Sequence, residues 1–188
     1  MSRLLVCSML LLALSTSNAF AADATSEVGL KQGDPIGVFY VTKIAGAEED
    51  GVDVEQEICY RCRYGSRPMV MVFARQTDGK LSELVKELDA AVAQNEASHR
   101  SSFVTLLGQD AGKLKTSATE LAKKTSAKHI PFVVAKESET GPLNYRLSVD
   151  APVTIVVASD SQVVSARTSA TSKIDVDAIM ADVKSILN

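Results

Sequence analysis

Met69-Val70-Met71-Val72-Phe73-Ala74 is an unbroken apolar run that follows the turn residues Gly65-Ser66 and Pro68. Its length and composition suit a strand buried on both faces of a parallel sheet. Downstream, Asp78 is placed to cap a helix in which Leu81, Leu84, Val85, Leu88 and Val92 share one face. A second buried strand is expected over 103–107, ended by Gly108. Leu114, Ala118, Leu121 and Ala122 then repeat the helical spacing, and 132–135 reads as a short strand. A linker with Gly141-Pro142 leads to 145–149, and 153–158 is again a buried strand. After the turn 159–162 the chain returns over 163–167 as a hairpin partner. Asp175 then caps a last helix that buries Val176, Ile179, Met180, Val183, Ile186 and Leu187. Upstream of the deciding run, 36–44 reads as a strand and the acid-rich stretch 48–57 as a solvated loop.

The order is β, then β-α-β-α-β, then β-β-α. Strands alternating with helices argue for an α/β domain with a mixed sheet flanked by helices. No repeat or low-complexity block interrupts it.

The amino terminus has a different character. Arg3 supplies a charged start, 4–14 is apolar and uncharged, and Ala19-Phe20-Ala21 fits a small-x-small cleavage pattern. The apolar run is well short of the ~20 residues that cross a bilayer as a helix. The expectation is a signal peptide over 1–21, a flexible leader over 22–33, and one domain over 34–188, exported to the periplasm or secreted. The formal charge is −3, and no basic stripe points to nucleic acid. No second apolar stretch points to a membrane once the leader is removed. Two histidines, His99 and His129, lack the paired spacing of metal ligands, and with so few no Ser-His-Asp arrangement can be argued. Both read as surface residues. No glycine-rich phosphate loop is present, and nothing in the residues calls for a cofactor.

Of three cysteines, Cys7 falls in the leader, which leaves Cys59 and Cys62 in a C-x-x-C spacing. In an oxidising compartment such a pair can persist as a disulfide. Arg61, Arg63 and Arg67 lie close in sequence and favour a thiolate. Three readings compete. The pair can be a redox couple that exchanges with a protein thiol or disulfide, a permanent structural disulfide, or half of a zinc site shared between chains. Zinc normally takes four ligands, and one C-x-x-C supplies two, so no metal site is assigned within the chain. If the pair is redox-active, Cys62, between two arginines, is the expected nucleophile and Cys59 the resolving residue, since Glu55 and Glu57 precede Cys59.

Several stretches resemble the thioredoxin-like superfamily, in its redoxin branch of peroxiredoxin and alkyl hydroperoxide reductase type. Residues 30–35 with the strand that follows are similar to the entry strand of those proteins, and 65–74 to the loop and first central strand. Residues 145–154 are similar to their segment leading into a cis-proline, and 156–164 to the hairpin after it. The resemblance implies a thioredoxin-like fold, and a substrate groove at Ala151 and Pro152 with Pro152 cis. It also implies a reactive cysteine just after the first central strand, where this chain reads Arg75-Gln76-Thr77-Asp78-Gly79-Lys80. That position holds no thiol. The cysteines lie instead before the strand, at its opposite end. The function expected is thiol–disulfide exchange through this displaced pair, with a non-catalytic binding or structural module as the alternative.

Overall fold

A computed structural model describes residues 28–94 and 101–186. The expected leader peptide, His99 and Leu187 lie outside these residues. Seven strands form one sheet, β1 (Val41–Ala45), β2 (Glu57–Ile58), β3 (Met69–Ala74), β4 (Ser101–Leu106), β5 (Phe132–Ala135), β6 (Val153–Ser159) and β7 (Gln162–Ser169), in the order β2-β1-β5-β4-β3-β6-β7. The helices are α1 (Tyr60–Tyr64), α2 (Leu81–Ala93), α3 (Ala111–Thr125) and α4 (Val176–Ser185).

All six residues of β3 are buried because the strand is central. It pairs in parallel with β4 and antiparallel with β6, so no backbone edge is left to water. The steps β3 to β4 and β4 to β5 run parallel and in the same direction across the sheet. Right-handed crossovers therefore place α2 and α3 on one face. Leu81, Leu84, Val85 and Leu88 of α2 join Leu114, Ala118 and Leu121 of α3 over Val70, Val72 and Ala74 there, with Ile179 and Val183 of α4. Each fully buried leucine contributes roughly 1.5–3 kcal/mol.

The alternate residues Met69, Met71 and Phe73 point to a second core on the other face, shared with Ile36, Phe39, Tyr60, Phe103 and Tyr145. Among the described residues no long helix covers this side. Phe39, Phe73 and Tyr145 meet with ring centroids 5.1–5.6 Å apart, and α1 closes the rest.

Several local expectations are corrected. The strand expected over 36–44 is regular only from Val41, and the stretch before it makes a single bridge, Pro35 to Gln162. Residues 28–33, expected within a flexible leader, are tied to the domain at two points: Leu30 is buried and the Gly29 N–H donates to the Arg146 carbonyl at 2.7 Å. Asp78 does not cap α2. Lys80 occupies that position without a side-chain bond, and Asp78 accepts from the Thr171 hydroxyl at 2.7 Å. Asp175 caps α4 as expected, accepting from the Ala178 N–H at 3.0 Å.

Candidate functional site

The stretch expected to be a loop before β3 contains β2 and α1. Cys59 is the N-cap of α1, in extended backbone, and its sulfur accepts from the Cys62 N–H at 3.0 Å. Gly65 ends the helix at φ 64°, a conformation costly for residues with a Cβ, and its N–H returns to the Arg61 carbonyl. One helical turn brings side chains three apart onto the same side. Cys59 and Cys62 are accordingly joined in a disulfide, with Cα atoms 5.2 Å apart. Among the described residues no cluster of three or more His, Cys, Asp or Glu is placed to hold a metal ion.

The two sulfur-bearing residues differ sharply in access. Cys59 is 6% exposed, packed beside the buried Tyr60, whereas Cys62 faces solvent. Tyr60 anchors the helix: its ring stacks on Phe103 of β4 with centroids 5.7 Å apart, and Tyr64 packs against the same ring. The Tyr60 hydroxyl donates to Asp50 Oδ2 at 2.6 Å. Asp50 Oδ1 accepts from Lys43 Nζ at 2.7 Å, and that ammonium also donates to the carbonyls of Ala47 and Val52 at 2.8 Å each. Lys43 is 2% exposed, so its charge is held entirely by these three acceptors. Part of the acid-rich stretch is therefore an inner strut beneath α1. A lysine in the middle of β1, between Thr42 and Ile44, was the sequence signal for it. Burial pushes the phenols of Tyr60, Tyr64 and Tyr145 well above their ordinary value, and at Tyr60 the Asp50 carboxylate adds to the effect.

At the far end of β3, where the resemblance implied a reactive cysteine, Arg75 bridges loops. Its guanidinium donates to the carbonyls of Glu139 at 2.7 Å, Thr140 at 3.2 Å and Ser148 at 3.4 Å. Partial burial lowers its pKa from the usual guanidinium value, opposed by Asp150. The helix that follows, α2, lies on the sheet face opposite α1. The disulfide is thus separated from the usual position both along the strand and across the sheet.

The expected groove at Ala151 and Pro152 is not built as implied. The described residues contain no cis peptide bond, so the Ala151–Pro152 bond is trans, a correction. The Ala151 N–H closes a turn onto the Ser148 carbonyl at 3.3 Å. The Pro152 carbonyl accepts from the N–H groups of Arg75 and Gln76 at 2.8 and 3.3 Å, tying the strand exit to the start of β6. His129 is half-buried, and its backbone N–H donates to Asp89 at 2.7 Å.

The fold as a whole superposes on solved structures. This is a thioredoxin-like redoxin fold. A putative thiol:disulfide interchange protein DsbE from Chlorobium tepidum superposes with a TM-score of 0.61 at 13% identity, covering 85% of this chain and 99% of that one. Mycobacterium tuberculosis AhpC superposes with a TM-score of 0.62 at 11% identity, again covering 85% and 99%. A secreted M. tuberculosis disulfide oxidoreductase homologous to E. coli DsbE gives 0.56 at 12% identity over 78% of this chain and 95% of that one. No protein-family model and no curated protein matches the sequence. The redoxin likeness therefore concerns the fold, and the chemistry must come from this chain's own residues.

Proposed function

We propose that this protein is an exported thiol–disulfide exchange protein that works through Cys59 and Cys62. The observation that carries the reading is the asymmetry of the disulfide: Cys62 is an exposed residue, and Cys59 is buried with an N–H aimed at its sulfur. A partner thiolate attacks the Cys62 sulfur in line with the S–S bond. A mixed disulfide forms and the electron pair leaves on the Cys59 sulfur. The Cys62 N–H stabilises that leaving thiolate, and a better-stabilised leaving group departs faster. A second partner thiolate then attacks the partner's own sulfur, releasing Cys62. The pair gains two electrons and the partner dithiol becomes a disulfide; the reverse sequence oxidises the pair.

Export is part of the same proposal. It rests on Arg3, the apolar run 4–14 and the Ala19-Phe20-Ala21 pattern, and it supplies the oxidising surroundings the disulfide needs. Two solved neighbours are a putative thiol:disulfide interchange protein and a disulfide oxidoreductase, the second of them secreted. Among the described residues no helix is long and apolar enough to cross a membrane. Intact mass of the protein from its native host should begin at or near Ala22; a retained Met1 overturns the export reading.

The deciding measurement is the reduction potential of the pair in the folded protein. A value near or above about −200 mV is expected for an exchanging couple, and one below about −300 mV identifies an inert bridge. The inert bridge is the second reading. A ring closed by neighbouring turns of one helix removes little entropy from the unfolded chain, which argues against stability as its purpose.

A further inference from the structure

Charge around the exposed Cys62 is unevenly neutralised. Of the four acids between residues 50 and 57, three have lysine partners: Asp50 with Lys43 at 2.7 Å, Glu55 with Lys115 at 2.6 Å, and Glu57 with Lys136 at 3.4 Å. Among the described residues Asp53 has no lysine partner. Arg61, Arg63 and Arg67, which flank Cys62, form no ion pair among the described residues. Arg61 donates to the Ile36 carbonyl at 3.2 Å and Arg63 to the Asp50 carbonyl, neutral acceptors that leave each positive charge in place. Arg63 and Arg67 are exposed, as Cys62 is. A chain of net charge −3 therefore places three arginines without ion-pair partners among the described residues within five positions of the exposed Cys62. Guanidinium groups pair with carboxylates in a planar fork that no neutral carbonyl satisfies fully, and a local field of one sign raises the encounter rate with the opposite sign.

We infer that the pair exchanges with a cysteine flanked by carboxylates, an acidic segment of another protein, and that Arg61, Arg63 and Arg67 select it. This rests on the exchange reading above and adds the chemistry of the partner. The acidic thiolate attacks the Cys62 sulfur, the S–S bond breaks toward Cys59, and a second thiolate of the partner resolves the mixed disulfide. The partner is oxidised by two electrons and both cysteines of the pair become thiols.

The test uses the oxidised mature protein at low ionic strength. It compares reduction rates, corrected for thiolate fraction, by two ten-residue dithiol peptides, one with Asp and Glu and one with Lys around the cysteines. Mercaptopropionate, mercaptoethanol and cysteamine serve as anionic, neutral and cationic small thiols. The acidic peptide is expected to react on the order of ten-fold faster than the basic one, with the gap closing at 0.5 M salt. Arg63→Glu with Arg67→Glu should reverse the order, in a variant whose circular dichroism is unchanged. Equal rates for all charges overturn the inference while leaving exchange itself intact. An equal gain for mercaptopropionate overturns the assignment to a protein segment. Failure of every thiol, dithiothreitol included, to reduce the folded protein overturns the exchange reading and this inference with it.

Discussion

The hydroxyl of Tyr60 donates to Asp50 Oδ2 at 2.6 Å while Oδ1 of the same carboxylate accepts from the buried ammonium of Lys43. Asp50 thus joins β1 to α1 and bears on the residue next to Cys59. Removing it strands a buried charge, whereas removing the hydroxyl leaves the ring contacts in place. Asp50→Ala should cost about 3 kcal/mol and Tyr60→Phe about 1–2 kcal/mol in urea titrations. Equal and negligible losses would show that the strut carries no load.

The same burial governs behaviour in alkali. Tyr60, Tyr64 and Tyr145 are held neutral, each with its folded pKa raised above the unfolded value near 10. The stability they contribute is fully present below pH 10 and is lost as pH rises through and beyond it, because the unfolded chain then binds fewer protons than the folded one. Tyrosinate absorbance at 295 nm should therefore rise for these three together with loss of circular dichroism. Ionisation of all three near pH 10 in a folded protein would contradict the packing.

Phe73 is 2% exposed and touches both Phe39 and Tyr145. Phe73→Ala should cost on the order of 3–5 kcal/mol in a denaturant titration. A loss below about 1 kcal/mol would mean that the second core is not built around it.

Arg75 opens the segment 75–80 where the resemblance implied a reactive thiol, and it holds carbonyls of two loop segments. No peroxidase turnover is expected through residues 75–80. Hydroperoxide reduction that survives Cys59→Ser combined with Cys62→Ser would show otherwise. Arg75→Ala should cost about 2 kcal/mol and increase proteolysis within residues 137–150.

In the reduced protein, access makes Cys62 the faster thiol to alkylate. Single Cys→Ser variants treated with iodoacetamide should show Cys62 reacting several-fold faster than Cys59, since only Cys62 is exposed. Faster modification of Cys59 would reverse the roles of nucleophile and resolving residue.

Much of this was legible in the residues. The apolar run of β3, the helical spacing of α2 and the hairpin of β6 and β7 are local patterns, and each landed within a few residues of its element. Their order was enough for the fold, and the absence of a thiol over 75–80 was enough to empty the usual site. The elements that position the disulfide were not legible. A helix of five residues and a strand of two are too short for any period to show.

Local pattern reports which side of an element is apolar, because burial of apolar surface repeats with the geometry of helix and strand. It does not report what arrives from elsewhere in the chain. That Lys43 is buried on Asp50, that Cys59 is covered while Cys62 is open, and that lysines from α3 and the end of β5 neutralise the acids before the pair depend on contacts between segments distant in sequence. The residues of this chain determine a redoxin-like scaffold with a displaced pair of cysteines. Which sulfur a partner can reach, and the charge it meets there, arise from three-dimensional packing, because access and electrostatic potential at one atom sum over every neighbour the fold assembles around it.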